Sequence, residues 1–105
     1  MEKRNIYAKI PADLSNEVFE VLVQSKKIKI ERIVSKGHTS PDTGWYDQEQ
    51  NEWVIVLKGN ADISFENGPV INLKEGEYIN IPAYKRHKVI NTSTIPETVW
   101  LAVHY

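Results

Sequence analysis

The chain has 105 residues, 41% of them hydrophobic and 26% charged, enough for one buried core and too little for two, so a single domain over residues 1–105 is expected. Its 13 Lys and Arg against 14 Asp and Glu give a net charge of −1, without the basic surplus that marks a nucleic-acid-binding face. The count of 0 Cys excludes disulfides, thiolate ligands and thiol nucleophiles, and no apolar run follows Met1-Glu2-Lys3-Arg4 or approaches a membrane span, so a soluble cytoplasmic protein is expected.

In chain order the periodicity is that of strands. Asn5 to Ile10 reads as a short β-like piece stopped by Pro11. Val18 to Val23 reads as a strand rather than a helical turn after Ser15, because β-branched residues dominate, and it sets Phe19, Val21 and Val23 on one side. Lys26-Lys27 marks a turn. Ile28 to Val34 is a strand with mixed faces, since Glu31 and Arg32 interrupt the alternation of Ile28, Ile30 and Val34. Gly, Ser, Thr, Pro and Asp from Ser35 to Gly44 are loop chemistry.

The punctuation then becomes regular. Glu52 to Leu57 is a strand, Gly59-Asn60 a tight turn, Ala61 to Phe65 a strand, and Asn67-Gly68 the strongest hairpin signal in the chain. Val70 to Leu73 pairs back, Glu75-Gly76 turns again, and Tyr78 to Ile81, His87 to Asn91 and Thr98 to Tyr105 complete the set. Short strands at this spacing predict an all-β sandwich or small barrel. Trp53 to Leu57 and Val99 to Val103 are apolar on both faces, so both must be covered, and a homodimer is expected.

The polar residues that break these apolar strands are the candidates for chemistry. Gln48 and Glu52, four apart, share a face if the chain between them stays extended, and His87 arrives from a later strand. Pointed into one cavity, Gln48, Glu52 and His87 supply three side chains of a mononuclear metal centre. The same residues also admit a metal-free arrangement. An inward carboxylate needs a partner, and Glu52 bonded to His87 or Gln48 is a candidate general base. Trp45 and Tyr46 read either as packing or as aromatics gripping a small molecule at the cavity mouth. His38 is expected to be exposed in its loop and His104 to be structural, while Lys85-Arg86-His87-Lys88 reads as solvated charge around one inward residue.

Two segments resemble the cupin motifs. Glu52, then Trp53 to Lys58, then Gly59 matches the second half of the first motif, whose two histidine positions fall here on Tyr46 and Gln48. The second motif is met by Gly76, Pro82, His87 and Asn91, with Tyr84 where the family carries glycine. The likeness spans residues 40 to 91, and Gly44-Trp45-Tyr46-Asp47-Gln48 before Glu52-Trp53-Val54 is similar to a subgroup of small single-domain RmlC-like cupins. It implies a double-stranded β-helix (jelly-roll barrel), with the strands of residues 1–34 outside the motif core. It also implies a divalent transition metal (Fe, Mn, Ni, Zn or Cu) and a small-molecule site, with Glu52 and His87 in catalytic or ligand roles. Two functions stay open: a small metal-dependent enzyme, or a metal-free cupin that binds a small molecule as a sensor or dimeric accessory protein, with neither nucleic acid nor membrane as partner.

Overall fold

A computed structural model describes residues 1–41 and 43–105; Asp42, within the expected loop Ser35 to Gly44, lies outside the described residues. The strands are β1 (Val18–Gln24), β2 (Lys29–Ser35), β3 (Glu52–Lys58), β4 (Asn60–Phe65), β5 (Val70–Lys74), β6 (Tyr78–Ile81), β7 (His87–Thr92) and β8 (Thr98–His104). They pair antiparallel in two sheets, one ordered β1-β2-β8-β3-β6 and the other β5-β4-β7, which curl into a jelly-roll barrel. No helix occurs among the described residues. The hairpin at Asn67-Gly68 forms as expected, joining β4 to β5 with Asn67 at φ 54°. Gly59 and Gly76, at φ 82° and 85°, turn the chain at corners where it passes between sheets.

The expected strand at Asn5 to Ile10 is a correction, because that segment is a run of turns. The Asn5 side chain accepts a bond from the Tyr7 amide at 2.8 Å, its carbonyl accepts from Ala8 at 3.0 Å, and Lys9 stands at φ 54°. With no neighbouring strand to pair it, this segment is held by one buried side chain. Arg32 donates to the carbonyls of Ile6, Ala8 and Lys9 at 3.0, 2.6 and 3.3 Å and to Glu20 at 2.7 Å. A second correction concerns β1. Its register slips between Val21 and Val23, a bulge at Leu22 that takes Val23 off the face shared by Phe19 and Val21.

Register explains the interior. Cross-strand partners share a face, so Lys29, His104, Glu52 and Ile81 form one inward row across β2, β8, β3 and β6. The next inward rows hold Glu31, Ala102, Val54 and Ile79, then Ile33, Trp100 and Val56. Val54, Val56, Ile63, Leu73, Ile81 and Trp100 are packed in the core, each contributing about 1.5–3 kcal/mol by burial. On the outer face Trp53, Ile55, Leu57, Leu101 and Val103 remain half-buried, with Trp53 against Tyr78 at 5.3 Å between ring centroids.

The barrel has two unlike ends. At one, the start of β8 meets the end of β3, and Ser93 and Thr98 share a hydroxyl bond of 2.7 Å. Asn60 joins them, its amide donating to Ser93 Oγ at 3.2 Å and its carbonyl accepting from Thr98 at 3.2 Å. Gly59 fits there because a Cβ would lie 3.0 Å from the Glu97 carbonyl and the Thr98 Cα. At the other end, where β3 starts and β8 finishes, the interior opens as a cavity of about 540 Å³.

Candidate functional site

The segment after the loop is laid against the start of β7 by main-chain bonds. Tyr46 donates to and accepts from His87 at 2.8 and 3.1 Å, and the Tyr84 amide donates to the Gln48 carbonyl at 2.8 Å. Tyr84 takes φ 64° there, the left-handed conformation that favours the glycine of the cupin motif. This clasp carries Gln48 beside Glu52, the first residue of β3, and faces both toward His87, the first residue of β7.

Three of the expected residues therefore meet. Gln48 Nε2 donates to Glu52 Oε1 at 2.8 Å, and His87 Nε2 lies 3.5 Å from the same oxygen. His87 is buried, and its Nδ1 lies 2.8 Å from the Lys85 carbonyl, to which it donates. With both ring nitrogens facing acceptors, the imidazole is suited to its protonated form. Burial opposes the charge on each group, but for His87 the bonds to Glu52 and the Lys85 carbonyl prevail and lift its pKa above the ordinary 6.5. For Glu52, burial is outweighed by the His87 bond, the nearby charges of His104 and His87, and the Gln48 bond, which together hold its carboxyl below 4.5. Each group thus favours the charged form of the other, and the pair joins the two sheets across the cavity.

The aromatic candidates divide. Tyr46 lines the cavity, half exposed, with its ring centroid 6.2 Å from that of His87. Trp45 does not line the cavity; its ring lies under Lys88 Nζ at 4.6 Å, so the expected ligand contact is replaced by a cation–π contact on the outside. His38 is half-buried rather than exposed, because Nδ1 accepts from the Lys36 amide at 2.8 Å and Nε2 lies 3.2 Å from the Ser15 carbonyl. Lys85 and Arg86 are exposed around inward His87, as expected.

A second pair went unread in the sequence. Glu31 and His104 are both buried, with Glu31 Oε1 2.8 Å from His104 Nε2, and both line the cavity. His104, expected to be structural, is thus a buried partner of Glu31 that also faces the cavity. The available signal was phase: Lys29, Glu31 and Ile33 alternate on one face of β2, so an inward Ile33 puts Glu31 inside.

The metal implied by the cupin resemblance is tested by these donors. Gln48 turns its amide nitrogen, which is no metal donor, to Glu52, leaving one imidazole and one carboxylate. Among the described residues no three His, Cys, Asp or Glu are grouped to hold a metal ion. The side chains expected to form the centre converge, but as a donor set they do not fit a divalent metal.

Comparison with known proteins agrees with the fold. A protein of Ralstonia eutropha JMP134, named as a candidate mannose-6-phosphate isomerase, is 40% identical with a TM-score of 0.94, the alignment covering 99% of this chain and 97% of that one. A cupin superfamily protein of Desulfitobacterium hafniense DCB-2 is 20% identical with a TM-score of 0.75, over 90% and 82% of the two chains. An RmlC-like cupin of Methanocaldococcus jannaschii, described as a double-stranded β-helix, is 22% identical with a TM-score of 0.71, over 91% and 85%. Among curated proteins none matches. The cupin domain profile matches residues 32–104, most of the chain including the clasp, Glu52, His87 and His104, and the protein belongs to the cupin domain family.

Proposed function

We propose that this cupin binds a small polar organic molecule in the open end of its barrel, with Gln48, Glu52 and His87 as recognition groups, Tyr46 at the mouth, and no resident metal. The observation that carries the reading is the Glu52–His87 pair, held 3.5 Å apart inside a cavity of about 540 Å³, a volume in the range of small-molecule sites. Glu52 Oε1 is engaged by both neighbours, and among the described residues no hydrogen bond reaches Oε2, which is left for a guest. An ionised carboxylate beside an imidazolium is also a proton acceptor beside a proton donor, so the pair is equipped for acid–base work on a bound molecule. Fold alone selects no reaction.

The name of the Ralstonia relative raises a sugar phosphate as a ligand. The cavity lining does not favour one, since its carboxylates Glu17, Glu31, Asp47 and Glu52 outnumber Lys29 and its histidines, His87 and His104, already face Glu52 and Glu31. The absence of cysteine supports a reducing, cytoplasmic setting. Half-buried Trp53, Ile55 and Leu101 beside exposed Tyr78 support a homodimer through the outer face of the larger sheet, and light scattering at 12.1 kDa rather than twice that would overturn it.

The test is a ligand-observed NMR screen of small polar metabolites, repeated on His87→Gln. The expected result is a hit that needs no added metal and whose affinity falls about tenfold or more in the variant. Unchanged binding in a folded variant, or one equivalent of Fe, Mn, Ni, Zn or Cu retained after reconstitution, would overturn the reading.

A further inference from the structure

We propose that Glu31 and His104 form a second ligand-contacting pair beside the first, and that the two pairs together select an uncharged, hydroxyl-rich molecule such as a polyol or free sugar over its phosphorylated form. The inference rests on the reading of the cavity as a small-molecule site and names the chemistry of its guest.

The two pairs are built alike. Each carboxylate gives Oε1 to an imidazole Nε2, at 2.8 Å for Glu31 and His104 and 3.5 Å for Glu52 and His87. Each leaves Oε2 underused, because that of Glu31 has only Lys29 Nζ at 3.9 Å and, among the described residues, that of Glu52 has no hydrogen bond. They are also adjacent, since His104 is the cross-strand partner of Glu52. Among the described residues the one sealed side-chain polar atom without a partner is Arg32 Nε, so the second oxygens of Glu31 and Glu52 are not shut away in the core but open to the cavity, where a guest can reach them.

What these oxygens accept is O–H or N–H, and a molecule with hydroxyls at both ends reaches both pairs at once. Below them, inward Val54, Ile33 and Trp100 form an apolar floor against which the C–H faces of a sugar or polyol pack. Charge sets the rest. Lys29, the one Lys or Arg in the described lining, leans toward Glu31, His87 and His104 each face a carboxylate, and Arg86, outside the lining, lies 3.6 Å from Asp47, so each of these cations already has an acidic partner. No arginine fork or helix end lines the described cavity, and a dianion entering it meets carboxylates.

The experiment titrates isotope-labelled protein with D-glucose, myo-inositol and glucose 6-phosphate, and follows the imidazole resonances of His87 and His104. Uncharged compounds are expected to move both histidines, with glucose 6-phosphate weaker by about tenfold or more. Glu31→Gln and His104→Gln, checked as folded by circular dichroism, are expected to lose about tenfold in affinity while the His87 response persists. Equal or tighter binding of glucose 6-phosphate would overturn the inference, as would uncharged compounds that move His87 alone; the latter leaves the small-molecule reading standing. If none of the three moves either histidine, the inference falls, and the broader metabolite screen then decides the reading beneath it.

Discussion

The same two strands, β3 and β8, run from the tight end of the barrel to its open end, and the polar residues on and beside them change character along the way. At the tight end Thr98, Ser93 and Asn60 exchange neutral hydrogen bonds until each is satisfied, around a glycine with no room for a side chain. At the open end Glu52 and His104 are ionisable, paired through one atom and left free at another. Saturated groups hold a structure together, whereas groups with unused capacity beside empty volume await something else. The contrast sets residues whose bonding is complete apart from residues that can still accept a bond, without reference to any other sequence.

The tight end should break hardest. Gly59→Ala forces a Cβ into φ 82° and against the 93–98 turn, and is expected to cost about 3 kcal/mol in urea unfolding while leaving binding by the folded fraction unchanged. Thr98→Val removes one hydroxyl from the network at constant shape, stripping the Ser93 amide of a partner, for an expected loss of about 2 kcal/mol by the same measurement.

The open end should respond in the opposite sense. Glu52→Gln leaves His87 without its carboxylate, so at alkaline pH, where the imidazole is neutral, unfolding free energy is expected to change by no more than about 1 kcal/mol while ligand affinity falls at least about tenfold. Its pH dependence sharpens the point. A carboxyl held below 4.5 stabilises the fold above that pH, and the contribution fades as pH falls through the lowered value. An imidazole held above 6.5 stabilises the fold below that pH, and its contribution fades as pH rises through the raised value. The wild type should therefore lose stability on both sides of a window that includes pH 4.5 to 6.5, and Glu52→Gln should flatten both limbs; a parallel profile would show that the pair is not the titrating unit.

The smallest effect is expected at the clasp. Tyr84→Gly relieves a left-handed side-chain conformation but frees the unfolded chain, leaving a net gain of about 0.5 kcal/mol, read as a slight rise in melting temperature. A marked loss would mean that the exposed Tyr84 ring contributes contacts beyond its backbone role.

Strands with clear punctuation were legible before any coordinates, from Glu52 through Asn91, because alternation and turn residues act locally. Glu52, Gln48 and His87 were legible for the same reason, each being a polar residue at an inward position. Glu31 and His104 were not, since their meeting depends on the register of β2 against β8, which short-range pattern does not encode. The first segment misled because Asn5 to Ile10 has strand-like composition, whereas its conformation is fixed from a distance by Arg32. Trp45 misled by type: an aromatic beside a site need not face it when Lys88 offers another contact.

β1 is an outer strand with half of each exposed apolar side chain in water at Phe19, Val21 and Val23, a pattern that invites stacking with other chains into fibrils. The Leu22 bulge and the charge of Glu20 act as gatekeepers against that fate. Straightening the bulge would therefore turn this edge into a template for cross-β growth, and shelf life in concentrated solution would register the change.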